Sequence, residues 1–553
     1  RGSGMRGARF ATVLLLSAEA LALGAAAPAW AEEPVPASAP APAAPLAAEQ
    51  PGRASEPRSV ASGGTELAVA VAPPAPVDAV VAIIRTKLGD AAVTKGFNAD
   101  DVGALEAFYA SRTSGPLWMT NMGLSAKGQA VLFEIARADD WGLDASAFEL
   151  PPFGALPTNG EAQALDEIKL DLAMLKYARY ARGGRFDPLE VSKLYDQTPP
   201  VRDPATVLTE IAAADAPDEY LRSLHPKHEQ FERLRQALLA ARSKNDGDAK
   251  AKANDKNSKR LIINMERWRW LPEDLGSIHV WNNSPEFMLY VVKDGKRIYA
   301  DKTLVGTSGY ATPVFSADMK TIVFNPDWVA PETVVTENLL PPLSQGNYSI
   351  LKIHQLSVYY QGKPVDVSRV NWTRSNILSY TFSQRAGPSN VLGKVKFLFP
   401  NRHTVYMHDT LPVRRKWFKQ SVRMIGHECV RMEKPDKFAE VLLAADKGWP
   451  ESKVKSLWDN ERNASVSIDG KIPVHMVYFT AVVDDDGKVS TFADVYGLDR
   501  KLAAALFGDT TGFPPPPPDS KPTETQEASS APRPSRGNVG GTGIAASLGF
   551  LDD

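Results

Sequence analysis

The sequence predicts an α+β multidomain protein: a mainly helical first half and a β-rich second half, between two low-complexity, disordered tails. Three observations carry this expectation. Apolar residues recur with a period of about 3.6 over residues 77–242 and a period of about 2 over residues 260–508. A run of Lys, Asp, Asn and Ala at 243–259, with almost nothing to bury, separates the two as a charged linker. The segments 32–76 and 509–553 are rich in Ala, Pro, Ser, Gly and Thr. They hold few of the large apolar side chains needed to offset chain entropy.

In the first half, Asp78 is placed to cap a helix carrying Val80, Val81, Ile83 and Ile84. Ser125 caps a second with Val131, Leu132 and Ile135, closed by the Trp141-Gly142 turn. The clearest helix spans 162–182. It sets Leu165, Ile168, Leu172 and Leu175 on one face and stops at Gly183-Gly184. Phe231, Leu234 and Leu238 align on another. In the second half, 288–292, Asp294-Gly295 and 297–299 read as strand, turn and strand, a β-hairpin. Residues 394–399 and 404–407 alternate as strands, and 473–483 is a further strand ending at an Asp486-Gly487 turn. One helix interrupts at 435–445, with Phe438, Val441 and Leu442 inward. In the tail, Pro514 to Pro518 predict polyproline II, and 544–551 is mildly apolar.

A formal charge of −2 over 553 residues leaves no overall basic footprint, which excludes nucleic acid as a default partner. Residues 1–4 read as a cloning scar ahead of Met5. Arg6, Arg9, the apolar run 10–24 and Ala29-Trp30-Ala31 then compose a secretory signal peptide over 5–31. The apolar run is short for a membrane span. The mature chain would begin near Glu32, reach out on an Ala/Pro-rich tether at 32–76, and work in the periplasm. Exported proteins usually pair their cysteines, and this chain has one. Cys429 is therefore either an inert buried thiol or a reactive one.

The surroundings of Cys429 are compatible with a reactive thiol, though spacing alone does not choose between the two. Of eight histidines, His403, His408 and His427 precede it closely in a strand-and-loop region. An imidazole can take the proton of a thiol or, as imidazolium, lower its pKa. His408 stands at the end of the strand 404–407, 21 positions before Cys429 (429 − 408). Two adjacent strand ends joined by such a loop can bring the two side chains together. A zinc site from these four residues is not predicted, because no tight pair such as C-x-x-C or H-x-x-x-H occurs.

Tyr406-Met407-His408-Asp409-Thr410, followed by Gly426-His427-Glu428-Cys429-Val430-Arg431, resembles the signature of the YkuD-type L,D-transpeptidases. That signature is a His, a variable loop, then Ser/Thr-His-Gly-Cys with an Arg or Asn shortly after. Asn264-Met265-Glu266-Arg267-Trp268-Arg269-Trp270-Leu271 resembles the leading segment of the large, YcbB-like branch of that family. So do Val305-Gly306-Thr307, Thr312-Pro313 and Asn325-Pro326-Asp327-Trp328, and the run from Gly387-Pro388 to Phe397. Val474 to Tyr478 and Asp494-Val495-Tyr496-Gly497 resemble its last strands. Gly123-Leu124-Ser125 and Arg182 to Pro188 resemble its scaffold domain. The chain departs from the pattern twice. Glu428 replaces the family glycine, setting a carboxylate beside a sulfur that must become anionic. The short linker 243–259 stands where the branch often carries a peptidoglycan-binding helical module.

The resemblance implies a helical scaffold domain at 77–242 and a transpeptidase catalytic domain at 260–508. It implies that Cys429 attacks the carbonyl after the third residue of a peptidoglycan tetrapeptide stem, expelling D-Ala and forming a thioester. His408 would act as base, with the backbone carbonyl of Asp409 orienting its ring. N–H groups around His427, Glu428 and Cys429 would hold the oxyanion. The acceptor would be an amine, usually of diaminopimelate, and in some relatives an outer-membrane protein; a carbapenem would acylate the same sulfur. No metal, nucleotide or other cofactor is implied. The residues alone leave alternatives open. His427 lines the oxyanion site or holds its loop. Arg431 grips a substrate carboxylate or makes a surface ion pair. Tyr406 and Trp328 wall the cleft or belong to the core, and Asn325 binds substrate or is a plain turn residue. Two other functions compete: a wall-binding protein with a degraded site, in which Glu428 is the lesion, and a Cys-His peptidoglycan hydrolase.

Overall fold

The computed structural model describes residues 78–154, 156–244 and 255–519. The segments read as cloning scar, signal peptide and tether, the middle of the linker and the tail beyond 519 lie outside the described residues. In the first half, Asp78 Oδ1 accepts the N–H groups of Val80 and Val81 at 2.8 and 3.3 Å and starts the helix Ala79–Leu88. Ser125 caps Ala126–Ala136 through Gly128 N. Gly160–Ala181 is the central helix. Ile168, Leu172 and Leu175 are buried as expected, and so are Leu170, Met174 and Tyr177 on other faces. Leu165, expected inward, is 37% exposed. A helix wrapped by Ala79–Leu88, Ala99–Ser111, Ala126–Ala136 and Pro204–Ala213 has no single apolar stripe, so its period misplaces one residue. The helix ends at Gly183 (φ +83°), where a Cβ would press on the carbonyl oxygen of Arg269 in the second half.

The β-rich half is built on a sheet that, among the described residues, has eleven strands. Their order is Ala464–Ser467, Thr321–Phe324, Val395–Leu398, Met407–His408, Val430–Met432, Lys296–Leu304, Met288–Lys293, Ile278–Asn283, Pro473–Val477, Val314–Asp318 and Tyr195–Asp196. The last strand belongs to the helical half, so the two halves share one sheet. The hairpin turns at Asp294 (φ +48°) and Gly295 (φ +74°), both left-handed as its two-residue connection requires. The helix Pro435–Lys447 buries Phe438 and Leu442, with Val441 partly buried.

Four further expectations need correction. The strand expected at 404–407 is confined to Met407–His408, because Asn401 Oδ1 takes the N–H groups of His403 and Val405 and folds 401–405 into a turn. The strand expected at 473–483 breaks into Pro473–Val477 and Ala481–Val483. The backbone between them turns aside to bond the side chains of Asn283 and Asn264. The linker is shorter than 243–259, since a helix Lys256–Arg269, capped by Asp255, begins inside it. Finally, the tail does not begin at 509: Phe513 is buried and Arg500 bonds its carbonyl oxygen at 3.1 Å.

A second small sheet, Lys363–Pro364, Ser357–Tyr360, Tyr380–Gln384 and Trp328–Val329, is inserted between two neighbours of the large sheet. With short helices at Glu332–Val334, Leu340–Ser344 and Ser349–Ile353 it packs its own core around Leu339, Trp372 and Phe382. A buried polar network ties the rest together. Arg267 bonds Asp499 at 2.6 Å and the hydroxyl of Tyr195 at 3.0 Å, and Thr480 donates to the same carboxylate at 2.9 Å. These groups come from the helical half, the helix Lys256–Arg269, the strand break and the helix Leu498–Phe507. Removing one charge leaves the other buried and unpaired. Asp499→Ala should therefore lower the unfolding free energy in urea by about 3–5 kcal/mol, and the double change Arg267→Met, Asp499→Leu by clearly less.

Candidate active site

The site is assembled by strand register. Met407–His408 pairs antiparallel with Phe397 and Lys396, and in parallel with Val430–Met432, setting Met407 opposite Val430 and His408 opposite Arg431. Cys429 immediately precedes its strand, so it falls beside Tyr406, whose carbonyl oxygen accepts the Val430 N–H at 3.2 Å. The two strand ends meet at a cavity of about 100 Å³ lined by Trp328, Pro331, Val334, Val391, Leu392, Tyr406, His408, His427, Cys429 and Arg431. Six side chains singled out in the sequence thus converge on one space.

The other three do not line it. Asn325 (φ +46°) sits in a turn, its amide donating to the carbonyl oxygens of Leu457 and Arg462 at 3.0 and 3.2 Å. The Asp409 carboxylate accepts from Lys394 N, Thr410 N and Arg415 at 2.7–2.9 Å. Gly393 (φ +62°) is needed there, because a Cβ would collide with that carboxylate. Glu428 is half-buried outside the cavity; burial raises its carboxyl pKa, opposed by the charge of His403. His403 itself pairs with Asp196 of the helical half at 2.8 Å and is a seam residue.

Burial dominates the electrostatics. His408, 4% exposed, is pushed down to about 3, chiefly by desolvation and then by the Arg431 charge, while backbone groups of Asp409 and Leu392 oppose the shift. The Cys429 thiol is pushed up to about 11 by desolvation, against the opposing pull of Tyr406 and Arg431 and with a small push from Glu428. His427 is lowered to about 4 by burial and Arg431. The Tyr406 hydroxyl is held far above its ordinary value by burial and by Cys429, so it stays a donor. At neutral pH the pair is thiol and neutral imidazole. Such a base takes the proton only as the sulfur bonds to carbon.

The backbone of the cysteine loop is laced to residues 305–312. Thr307 N donates to the Gly426 carbonyl oxygen at 2.9 Å, and Thr312 Oγ1 to that of Glu428 at 2.8 Å. C=O and N–H point oppositely in a planar trans peptide, so these bonds turn the N–H groups of His427 and Cys429 away from 305–312. The N–H groups of Glu428 and Cys429 have no acceptor among the described residues. Gly426 (φ +99°) lies where a Cβ would strike the Arg431 guanidinium, so the loop's glycine requirement sits here. Glu428 has no left-handed backbone, so a side chain at that position carries no positive-φ strain.

Sequence reasoning missed Pro331, Val334, Val391 and Leu392. The last two lie in a quoted motif without a role assigned, while Pro331 and Val334 lie where the inserted unit begins, a stretch without a periodic signal. It also missed Tyr310, whose ring stacks on His427 with centroids 4.0 Å apart. A neutral resting pair predicts how Cys429 meets iodoacetamide without substrate. Alkylation should accelerate steadily from about pH 7 to about pH 10, following the thiolate fraction. A flat, fast rate in acid would mean a thiolate–imidazolium pair instead.

Residues 277–455 match the YkuD family, described as the L,D-transpeptidase catalytic domain, and residues 103–238 match the family described as the Scaffold domain. A protein of Haemophilus influenzae (strain Rd), named provisionally as an L,D-transpeptidase, is 28% identical over 415 residues, covering 72% of this chain and 79% of that protein.

Proposed function

The chain belongs to the YkuD-type L,D-transpeptidases, and from that premise we propose that it cross-links peptidoglycan stem peptides through an acyl-enzyme on Cys429. The observation that supports this most is the convergence of Cys429, His408 and Arg431 on one small cavity from two strands in fixed parallel register.

In the proposed reaction, the Cys429 sulfur attacks the carbonyl carbon after the third residue of a tetrapeptide stem as its proton passes to His408. The oxyanion is held by the N–H groups of Glu428 and Cys429; the peptide plane of the Cys429 N–H is fixed before substrate arrives, because its carbonyl, that of Glu428, accepts from Thr312 Oγ1. The tetrahedral adduct collapses, the C–N bond breaks, and D-Ala leaves with the proton from His408. An acceptor amine, from a diaminopimelate side chain or a wall-attached protein, then attacks the thioester. His408 takes the amine proton and returns it to the departing sulfur. Arg431 lowers the cost of the thiolate, and its guanidinium suits a substrate carboxylate. Trp328 and Tyr406 wall the cleft. The secretory leader read at 5–31 fits a periplasmic site of action, where this substrate lies. Ordinary backbone geometry at Glu428, and a side chain outside the cavity, favour an active enzyme over a degraded site.

Incubation with a disaccharide-tetrapeptide, followed by chromatography and mass spectrometry, separates the readings. The account expects free D-Ala together with a cross-linked dimer. Tripeptide without dimer would mark a hydrolase. Cys429→Ala should abolish D-Ala release and His408→Ala should slow it by about 10²- to 10⁴-fold, with melting temperatures preserved. Undiminished cross-linking by Cys429→Ala would remove the mechanism.

A further inference from the structure

We propose that Tyr310 is a positioning residue for the reaction, holding the cysteine loop in its working shape by clamping the His427 ring. The inference deepens the acyl-enzyme reading and rests on it for the reaction, though not for the clamp.

Residues 306–312 form a tight, well-anchored loop. Gly306 is buried, and a Cβ there would overlap the Tyr310 carbonyl oxygen. Tyr496, buried at the base, donates from its hydroxyl to the Gly306 carbonyl oxygen at 2.8 Å and accepts from Thr312 N at 3.3 Å. Thr312 Oγ1 ties Gly306 N to the Glu428 carbonyl oxygen at 3.0 and 2.8 Å. The loop therefore grips the backbone at 426 and 428, on either side of His427. Tyr310 supplies the remaining grip. Its ring lies over the imidazole with an interplanar angle of 26°. Its hydroxyl bonds Glu337 of the inserted unit at 2.5 Å. His427 lines the cavity, so its placement shapes the wall beside Cys429.

The charged and titratable groups around His427 are Arg431 from the strand that follows, Glu428 and Cys429 next in the loop, His408 and Tyr406 in the same cavity, and Tyr310 with Glu337 from the facing elements. Burial and then the Arg431 charge hold His427 near 4, and the stacked Tyr310 ring covers one face of the imidazole. Removing the ring admits water to the imidazole.

The test uses the full chain. NMR titration of His427 and the rate constant for carbapenem acylation are measured for wild type, Tyr310→Ala and Tyr310→Phe, with melting temperatures alongside. Tyr310→Ala should move the His427 midpoint up toward the ordinary value of about 6.5. It should slow acylation by about 10- to 100-fold at little change in carbapenem binding. Tyr310→Phe, which keeps the stack and loses the hydroxyl, should restore both. An unmoved midpoint in Tyr310→Ala, or a Tyr310→Phe as impaired as the alanine variant, would overturn the clamp. If wild type itself forms no adduct, the acyl-enzyme reading fails, while the midpoint still decides the clamp.

Discussion

The parallel pairing of Met407–His408 with Val430–Met432 is the constraint on which the rest depends. It converts a separation of 21 positions into adjacency, and the core enforces it. Phe397, Met407, Val430 and Met432 are all fully buried on one side of the sheet. A slip of one residue would turn those side chains outward and carry His408 into the core. The register is therefore held by apolar burial, and the positions of His408 and Cys429 are a by-product of packing. The same sheet takes its edge strand, Tyr195–Asp196, from the helical half. Through Asp196–His403 and the Arg267–Asp499 network, the helical half helps to set the sheet that carries the site.

Desolvation is the second theme. Burial of His408 and partial burial of Cys429 oppose charge on both, which favours a neutral resting site. Arg431 works in both directions: it disfavours an imidazolium and favours a thiolate. Gly426 leaves room for that guanidinium against the loop, which links a backbone requirement to an electrostatic one. The left-handed glycine of this loop is Gly426, and Glu428 lies outside the left-handed region.

Much of this was legible in the sequence because it rests on local rules. The Asp78 and Ser125 caps, the Asp294-Gly295 hairpin and the lone cysteine beside histidines each follow from a few neighbouring residues. Departures arose where tertiary contacts decide. Leu165 misread because the helix Gly160–Ala181 is buried on several faces. Residues 404–407 and 473–483 alternate like strands, but Asn401 in one and Asn264 and Asn283 in the other divert the backbone. The inserted unit has no motif of its own, so the cavity residues Pro331 and Val334 had no signal. Tyr310 reads as an ordinary loop aromatic until the fold sets it against His427. Asn325, by contrast, is the turn residue its sequence allowed.

The most direct test is intact-protein mass spectrometry after incubation with a carbapenem, with peptide mapping, on wild type and Cys429→Ala. The account predicts one covalent adduct on wild type, mapped to Cys429, and none on the variant. No adduct on either protein, under conditions where both are folded, would contradict it.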